Sequence, residues 1–262
     1  MKGIKQLLLI LAVVMLVGCG KKGDSNTGVI NPNKPAPKAV PVNIDNPIVE
    51  EAIREQLKKP TGALTQVDLE NMTKLSLHYN QLTEVPKGLE KLTQLEVLYL
   101  HGNQLTDVKG IEKLTKLESL NLTENQLTNV IGLEKLTQLK ALRLQFNQLA
   151  DVKGLGKLTK LEILGLSNNQ LTDVKGLENL AQLTILGLGK NQLTEVPKGL
   201  EKLTKVKFLS LYGNQLTNVK NLEKLEKLKD LNLRGNPDLT KAQITELQKA
   251  LPNCNIKSNP AK

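Results

Sequence analysis

The sequence has few of the residues with which most globular proteins fill a core. Tryptophan is absent, and the aromatic residues of the 262-residue chain amount to three tyrosines and two phenylalanines, or 2%. An ordinary core of this size uses more large rings. Leucine is the prominent apolar residue instead, and it recurs at fixed intervals. We therefore expect a core made of many similar layers.

Cysteine and histidine are equally scarce, with two of each: Cys19, Cys254, His78 and His101. Beyond the N-terminal segment Cys254 is the only cysteine, which excludes an intramolecular disulfide there. No thiol with a nearby histidine base and no complete set of metal ligands emerges, since zinc usually takes three or four protein ligands. We expect no enzymatic activity, no metal and no cofactor.

The formal net charge of +10 does not indicate a nucleic-acid-binding protein. Most lysines lie beside glutamates in segments such as GLEKLTQL, spread evenly along the chain. Binding to nucleic acid favours clustered basic residues with stacking aromatics. We interpret the charge as a solvated surface of mixed sign and expect no nucleic-acid partner.

The N-terminus has the three-part layout of a secretory signal. Two lysines precede an apolar run from Leu7 to Val17, and small residues follow. The run is about half of the roughly 20 residues that a membrane span needs. Its end, LVGC at residues 16–19, resembles the bacterial lipobox. That resemblance implies a lipoprotein signal peptide at 1–18, lipid attachment at Cys19, and anchoring to a membrane of the bacterial cell envelope. The protein would face the periplasm or the cell exterior, and the anchoring membrane could be an outer membrane.

The composition of the rest of the chain indicates a tether and two caps that flank the central part. Residues 19–41 contain the lipidated cysteine and a stretch rich in Gly, Pro, Asn and Lys, which predicts a disordered tether. Residues 42–71 have apolar residues at helical spacing and a capping pair, Thr65 and Asp68, which predicts a helical N-terminal cap. Residues 240–262 begin with Thr240 and Gln243 in the same arrangement, which predicts a helical C-terminal cap and tail.

Between the caps, residues 72–239 repeat a unit of 22 or 23 residues eight times. Its most recognisable part is NQLT, which begins at six asparagines, with NQLA at a seventh. The leucines follow L-x-x-L-x-L-x-x-N-x-L, as in Leu95, Leu98, Leu100, Asn103 and Leu105. The L-x-L part predicts a short strand, and stacking of such strands predicts a parallel sheet.

This pattern resembles leucine-rich repeats, specifically the 22-residue kind of bacterial internalins and of a eukaryotic phosphatase regulatory subunit. The resemblance implies an α/β solenoid, the leucine-rich repeat horseshoe with a parallel concave sheet, between helical caps. It also implies that each repeat asparagine is buried and hydrogen-bonds the backbone of neighbouring coils. The expected ladder is Asn80, Asn103, Asn125, Asn147, Asn169, Asn191, Asn214 and Asn236.

The variable places of each strand, the third, fifth and seventh of the unit, should face the concave side because strand side chains alternate. Both histidines and three of the five aromatics fall on them. An apolar row beside a floor of glycines predicts a groove that binds a protein or peptide. We assign to this groove Arg143, Gln145, Phe146, Ile163, Gly165, Ile185, Gly187, Gly189, Phe208, Tyr212 and Arg234.

Two alternatives stay open. A second candidate patch consists of His78, Tyr99 and His101 on the first two strands, where the two imidazoles could share a metal ion. The protein could also be a structural spacer of the envelope, in which case the glycines only relieve crowding. We expect a monomeric, membrane-anchored recognition protein.

Overall fold

The computed structural model describes residues 40–259. The signal peptide, Cys19 and almost all of the tether therefore lie outside the described residues. Val40 and Pro41, which we assigned to the tether, belong to the folded part. Gln66 donates its backbone N–H to the Val40 carbonyl at 3.0 Å, and Pro41 forms an antiparallel bridge with Thr65. The N-terminal cap thus includes two residues more than the composition indicated.

Parallel strands, nine within residues 40–259, form one curved sheet in the order of the sequence. They are β1 Lys74–Ser76, β2 Val97–Tyr99, β3 Ser119–Asn121, β4 Ala141–Arg143, β5 Ile163–Gly165, β6 Ile185–Gly187, β7 Phe208–Ser210, β8 Asp230–Asn232 and β9 Asn255–Lys257. Equivalent residues of successive coils pair, as Leu98 does with Leu120. The predicted leucine-rich repeat solenoid with a parallel sheet is confirmed.

Each coil returns through a 3-10 turn rather than an α-helix. The turns are Leu89–Lys91, Ile111–Lys113, Leu133–Lys135, Leu155–Lys157, Leu177–Asn179, Leu200–Lys202 and Leu222–Lys224. In a typical one, Gly110 has a φ of +97°, which favours glycine, and donates its N–H to Glu112 at 2.6 Å. A 3-10 turn needs few residues, which explains how a whole coil fits into 22 or 23 residues.

Helices cover both ends of the solenoid, as predicted. Helix α1, Pro47–Leu57, buries Val49 and Ile53, and the short α2, Gln66–Glu70, begins with the predicted Thr65 capping box. At the other end α3, Lys241–Ala250, begins with the predicted Thr240 capping box. The sequence did not predict β9, which follows α3 and adds a last strand to the sheet. Terminal coils need such covers because their core leucines would otherwise face water.

The repeat asparagines connect neighbouring coils. Asn147 is typical: its Oδ1 accepts the Leu127 N–H at 3.0 Å, and its Nδ2 donates to the carbonyls of Leu122 and Leu144 at 3.0 and 3.1 Å. Seven of the eight predicted asparagines, from Asn103 to Asn236, are buried and bond in this way. Each satisfies backbone groups that would otherwise be buried without a partner.

Asn80, the first asparagine of the predicted ladder, does not belong to it. Its side chain is exposed and donates to the His78 carbonyl of its own coil at 3.0 Å. The first coil has no preceding coil whose backbone its amide could bond. The N-terminal cap covers the leucines of this coil but not the edge where Asn80 lies.

This difference predicts unequal costs for the same substitution. Asn147→Ala should lower the free energy of unfolding by about 1–3 kcal/mol, because buried backbone groups of two coils lose their partner. Asn80→Ala should lower it by less than about 1 kcal/mol, since the site is exposed. Urea unfolding of the two variants measures this, and equal costs would show that the side-chain ladder does not hold the coils together.

Candidate functional site on the concave face

The strands present their first and third residues on the concave side and bury the middle leucine. In β2, for example, Leu98 is fully buried whereas Val97 and Tyr99 are half-buried. The middle leucine is buried in every repeat strand, and the residues on either side of it are half-buried or exposed, apart from the buried Gly165 of β5. The concave surface therefore consists of three columns of side chains that run across the strands. In each coil the columns take the first strand residue, the third strand residue, and the residue two positions after the third.

The predicted apolar row exists. Ile163, Ile185 and Phe208 are the first residues of β5, β6 and β7, pair with one another in register, and are half-buried. Ala141 continues the row on β4. Partly exposed aliphatic and aromatic side chains in adjacent positions form a continuous apolar strip, which is typical of the centre of a protein interface.

The glycine floor is less open than the sequence indicated. A Cβ at Gly165 would lie 2.2 Å from Nε2 of Gln145, so the glutamine side chain lies over this position and Gly165 is buried. Gly189 is also buried and donates its N–H to the Ser167 hydroxyl at 3.1 Å. Gly187 stays partly exposed. Gln145 itself is only 9% exposed and accepts a hydrogen bond from the Thr123 hydroxyl, so its side chain is part of the floor.

Arg143 lies at the end of the groove on β4. Its side chain is half-buried, and burial lowers the pKa of its guanidinium from the usual value, with Tyr99 acting in the opposite direction. Among residues 40–259 it has no hydrogen-bond or ion-pair partner. A guanidinium carries five N–H donors and stays charged, so these donors are available to a ligand.

Phe146 is exposed to 50% and has a φ of +56°. The residue before the repeat asparagine is left-handed in every coil, and three coils place glycine there: Gly102, Gly213 and Gly235. A left-handed backbone costs a residue with a side chain roughly 1–2 kcal/mol, and a bulky aromatic is an unusual choice. The sequence contains phenylalanine here despite this cost.

Tyr212 and Arg234 lie at the other end of the predicted groove. Tyr212 is half-buried with Lys190 Nζ 5.9 Å from its ring centre, and Arg234 is exposed. Asp230 is the one carboxylate on the concave places of β1 to β8, and Lys257 of β9 neutralises it at 2.6 Å. The concave surface thus carries unpaired positive charge and no unpaired negative charge from these strands.

The second candidate patch is also brought together. The rings of His78 and His101 stack with centroids 4.9 Å apart and planes 5° from parallel, and Tyr99 meets His101 edge-on. Tyr79, which we did not assign to the patch from the sequence, packs edge-on against both histidines and is 64% exposed. Burial and then the His78 charge lower the pKa of His101.

The stacked histidines do not form a chelating pair. Ring lone pairs lie in the ring planes, so two parallel stacked rings direct them side by side rather than toward one metal ion. Within the part of the chain that the structure describes, no group of three His, Cys, Asp or Glu residues is placed to hold a metal. The geometry thus gives no support to a shared metal at His78 and His101.

Ile131 is an exposed apolar residue that the sequence did not lead us to expect. It is 76% exposed and lies on the return side of the third coil, where the second and fourth coils have Lys109 and Lys153. Those lysines pair with Asp107 and Asp151 at 3.9 and 3.5 Å. Comparing the repeats at this return position would have revealed the exception.

Comparisons with known proteins support the repeat assignment. A family model for leucine-rich repeats matches residues 70–113, 93–135, 137–179 and 159–202, and a second such model matches 181–237. The structure of internalin C2 from Listeria monocytogenes is 29% identical, with a TM-score of 0.60, over 74% of this chain and 96% of that one. A leucine-rich repeat protein of Leptospira interrogans is 30% identical over 73% of this chain and 62% of its own, with a TM-score of 0.47. No curated protein matches.

Leucine-rich repeat proteins of this kind are typically scaffolds for protein interaction rather than enzymes. No helix in residues 40–259 has the length and apolar character to cross a membrane. Repeat length, strand register, asparagine ladder and family matches agree: the chain belongs to the leucine-rich repeat family, with repeats of the bacterial internalin kind.

Proposed function

We propose that this protein is a membrane-anchored recognition protein that holds a protein partner on the concave face of its sheet. The observation that carries the proposal is the contrast between the two faces. The return turns have the sequence Leu-Glu-Lys in four of seven cases from Leu89 to Lys224, and the other three differ by one residue each, at Ile111, Gly156 and Asn179. The concave columns vary at nearly every coil, and repeat proteins typically bind on such extended concave surfaces.

The alternative, a structural spacer, explains the regular part of the molecule but not the groove. A spacer needs no apolar strip at Ile163, Ile185 and Phe208, and no unpartnered arginine beside it. It also needs no phenylalanine at a left-handed position where other coils have glycine. These features increase exposed apolar area or local strain, which a ligand-free surface has no reason to keep.

A charge on the apolar strip tests the proposed surface. Ile185→Glu together with Tyr212→Ala should weaken binding of the partner captured from the native envelope at least tenfold. Truncation of a side chain at the centre of an interface typically costs about 2 kcal/mol or more of binding free energy. We place the charge on the strip and not at Gly187, because a Cβ at Gly187 would lie 3.1 Å from the Ser167 hydroxyl and would crowd it. Isothermal titration or biolayer interferometry measures the affinity, and circular dichroism checks the fold.

Ile131→Glu is the matched control, since it replaces an exposed isoleucine by the same charge on the return side. It should leave the affinity within about twofold of the wild type, because residues outside an interface centre contribute little. Binding lost with Ile131→Glu and kept with the double variant would move the site to the return side and contradict the proposal.

Phe146→Gly separates binding from folding. Relief of the left-handed backbone should offset the loss of the few contacts of an exposed ring, so the free energy of unfolding should stay within about 1 kcal/mol of the wild type. Affinity for the partner should fall severalfold, because the exposed ring is lost. Asn168→Gly, at the same place of the next coil, should change neither. A Phe146→Gly variant that binds normally would exclude the ring from the interface.

The anchoring part of the proposal rests on the LVGC sequence at residues 16–19. Cys19→Ser should abolish acylation and leave an unprocessed precursor, since the lipid is attached to the thiol. Metabolic labelling with palmitate in a bacterium that processes lipoproteins measures this. Cys254→Ser is the control, because that thiol is buried and should not affect labelling. Equal labelling of wild type and Cys19→Ser would exclude this site of lipid attachment.

A further inference from the structure

The fourth coil contains two groups of hydrogen-bond donors that no described residue accepts from. The Arg143 guanidinium has no partner among residues 40–259. On the same strand end, Gln145 uses its Oε1 to accept from the Thr123 hydroxyl at 3.1 Å, and its Nε2 lies over Gly165. Two neighbouring donor groups, with no carboxylate on the concave places of the adjacent strands β3 and β5, describe a place that is complementary to an acceptor with negative charge.

The groove ends at this place. In the column of Arg143, the next two strands have Gly165 and Gly187, which pair in register and carry no side chain. The apolar strip of Ile163, Ile185 and Phe208 runs alongside this column. A ligand in the groove thus meets a charged donor at β4 and apolar surface from β5 to β7.

From this geometry we propose that Arg143 and Gln145 bind a side-chain carboxylate of an extended segment of the partner, whose apolar side chains lie on Ile163, Ile185 and Phe208. This inference rests on the proposed function and specifies the partner's chemistry. Arginine suits the role because its planar guanidinium bonds both oxygens of a carboxylate at once.

A side-chain carboxylate fits better than a chain terminus. Terminal carboxylates are usually held by free backbone N–H groups, but the N–H groups of the concave strands are used in the sheet. The apolar strip favours a protein segment over a nucleic acid or sulfated polysaccharide, for which a run of basic residues would be expected. Asp230, the one acid on these concave places, is already paired and would not repel the carboxylate.

The sheet also sets a spacing. Adjacent strands lie about 4.8 Å apart, so the three steps from β4 to β7 cover about 14 Å. An extended peptide covers this distance with four or five residues at roughly 3.3 Å each. The partner should therefore place a large apolar residue four or five positions from an aspartate or glutamate.

Selection from a phage-displayed library of random peptides of about twelve residues tests the inference on the wild-type chain. The expected consensus has an acidic residue four or five positions from a large apolar one. A synthetic consensus peptide should bind Arg143→Gln ten- to a hundredfold more weakly, since hydrogen bonds to charged groups are strong. Lys153→Gln, which removes an exposed positive charge from the return side of the same coil, should change the affinity less than twofold.

A double-mutant cycle distinguishes direct pairing from a structural effect. Arg143→Gln combined with replacement of the peptide's acid by its amide should cost no more than either change alone, because both remove the same contact. Additive losses would overturn the proposed pairing of Arg143 with a carboxylate and leave the proposed groove intact. A consensus peptide that has no acid and binds Arg143→Gln normally would do the same.

Binding of heparin or an oligonucleotide through Arg143, in place of peptides, would overturn the inference that the partner is a protein segment. Failure to enrich any peptide on the wild type, with an envelope partner still captured, would overturn the extended-segment inference alone. Failure of both would overturn the proposed function as well.

Discussion

The hydrogen bonds of the repeat asparagine side chain are the interaction on which the molecule depends. After three strand residues the chain turns out of the sheet, and the backbone groups around that turn are buried without sheet partners. One amide per coil satisfies groups in its own coil and in the preceding one, as Asn125 does with Leu100, Leu105 and Leu122. Because an unsatisfied buried group costs as much as a lost hydrogen bond, each coil is stabilised by its neighbour.

This dependence leaves the concave surface free to vary. The leucines and asparagines hold the coil, the glycine and glutamate of the return turn reverse it, and the outward strand residues contribute little to either task. Side chains such as Arg143 and Phe146 could therefore be acquired without loss of the fold. The same logic explains why a fold match cannot identify a partner: the shared residues are structural, and the surface that binds differs between members.

Period and alternation were enough to predict the solenoid, the parallel sheet and both capping boxes, since each follows from local chemistry repeated many times. Contacts between coils were harder to predict. The position of Gln145 over Gly165 depends on which way one side chain turns, and the exposure of Asn80 depends on a missing neighbour. The left-handed backbone at Phe146 was hidden because the positions of glycine in other coils were not compared. β9 was missed because its sequence, NIK, lacks the repeat leucines.

If a protein partner contacts the concave strip, site-specific photo-crosslinking in the native envelope should capture it there. A photoreactive amino acid would replace Ile185 in one variant and Ile131 in another, two isoleucines on opposite sides of the coil. We expect a crosslinked protein from position 185 and none from position 131. A crosslink at 131 alone, or at both positions to the same extent, would show that the partner is not held on the concave strip.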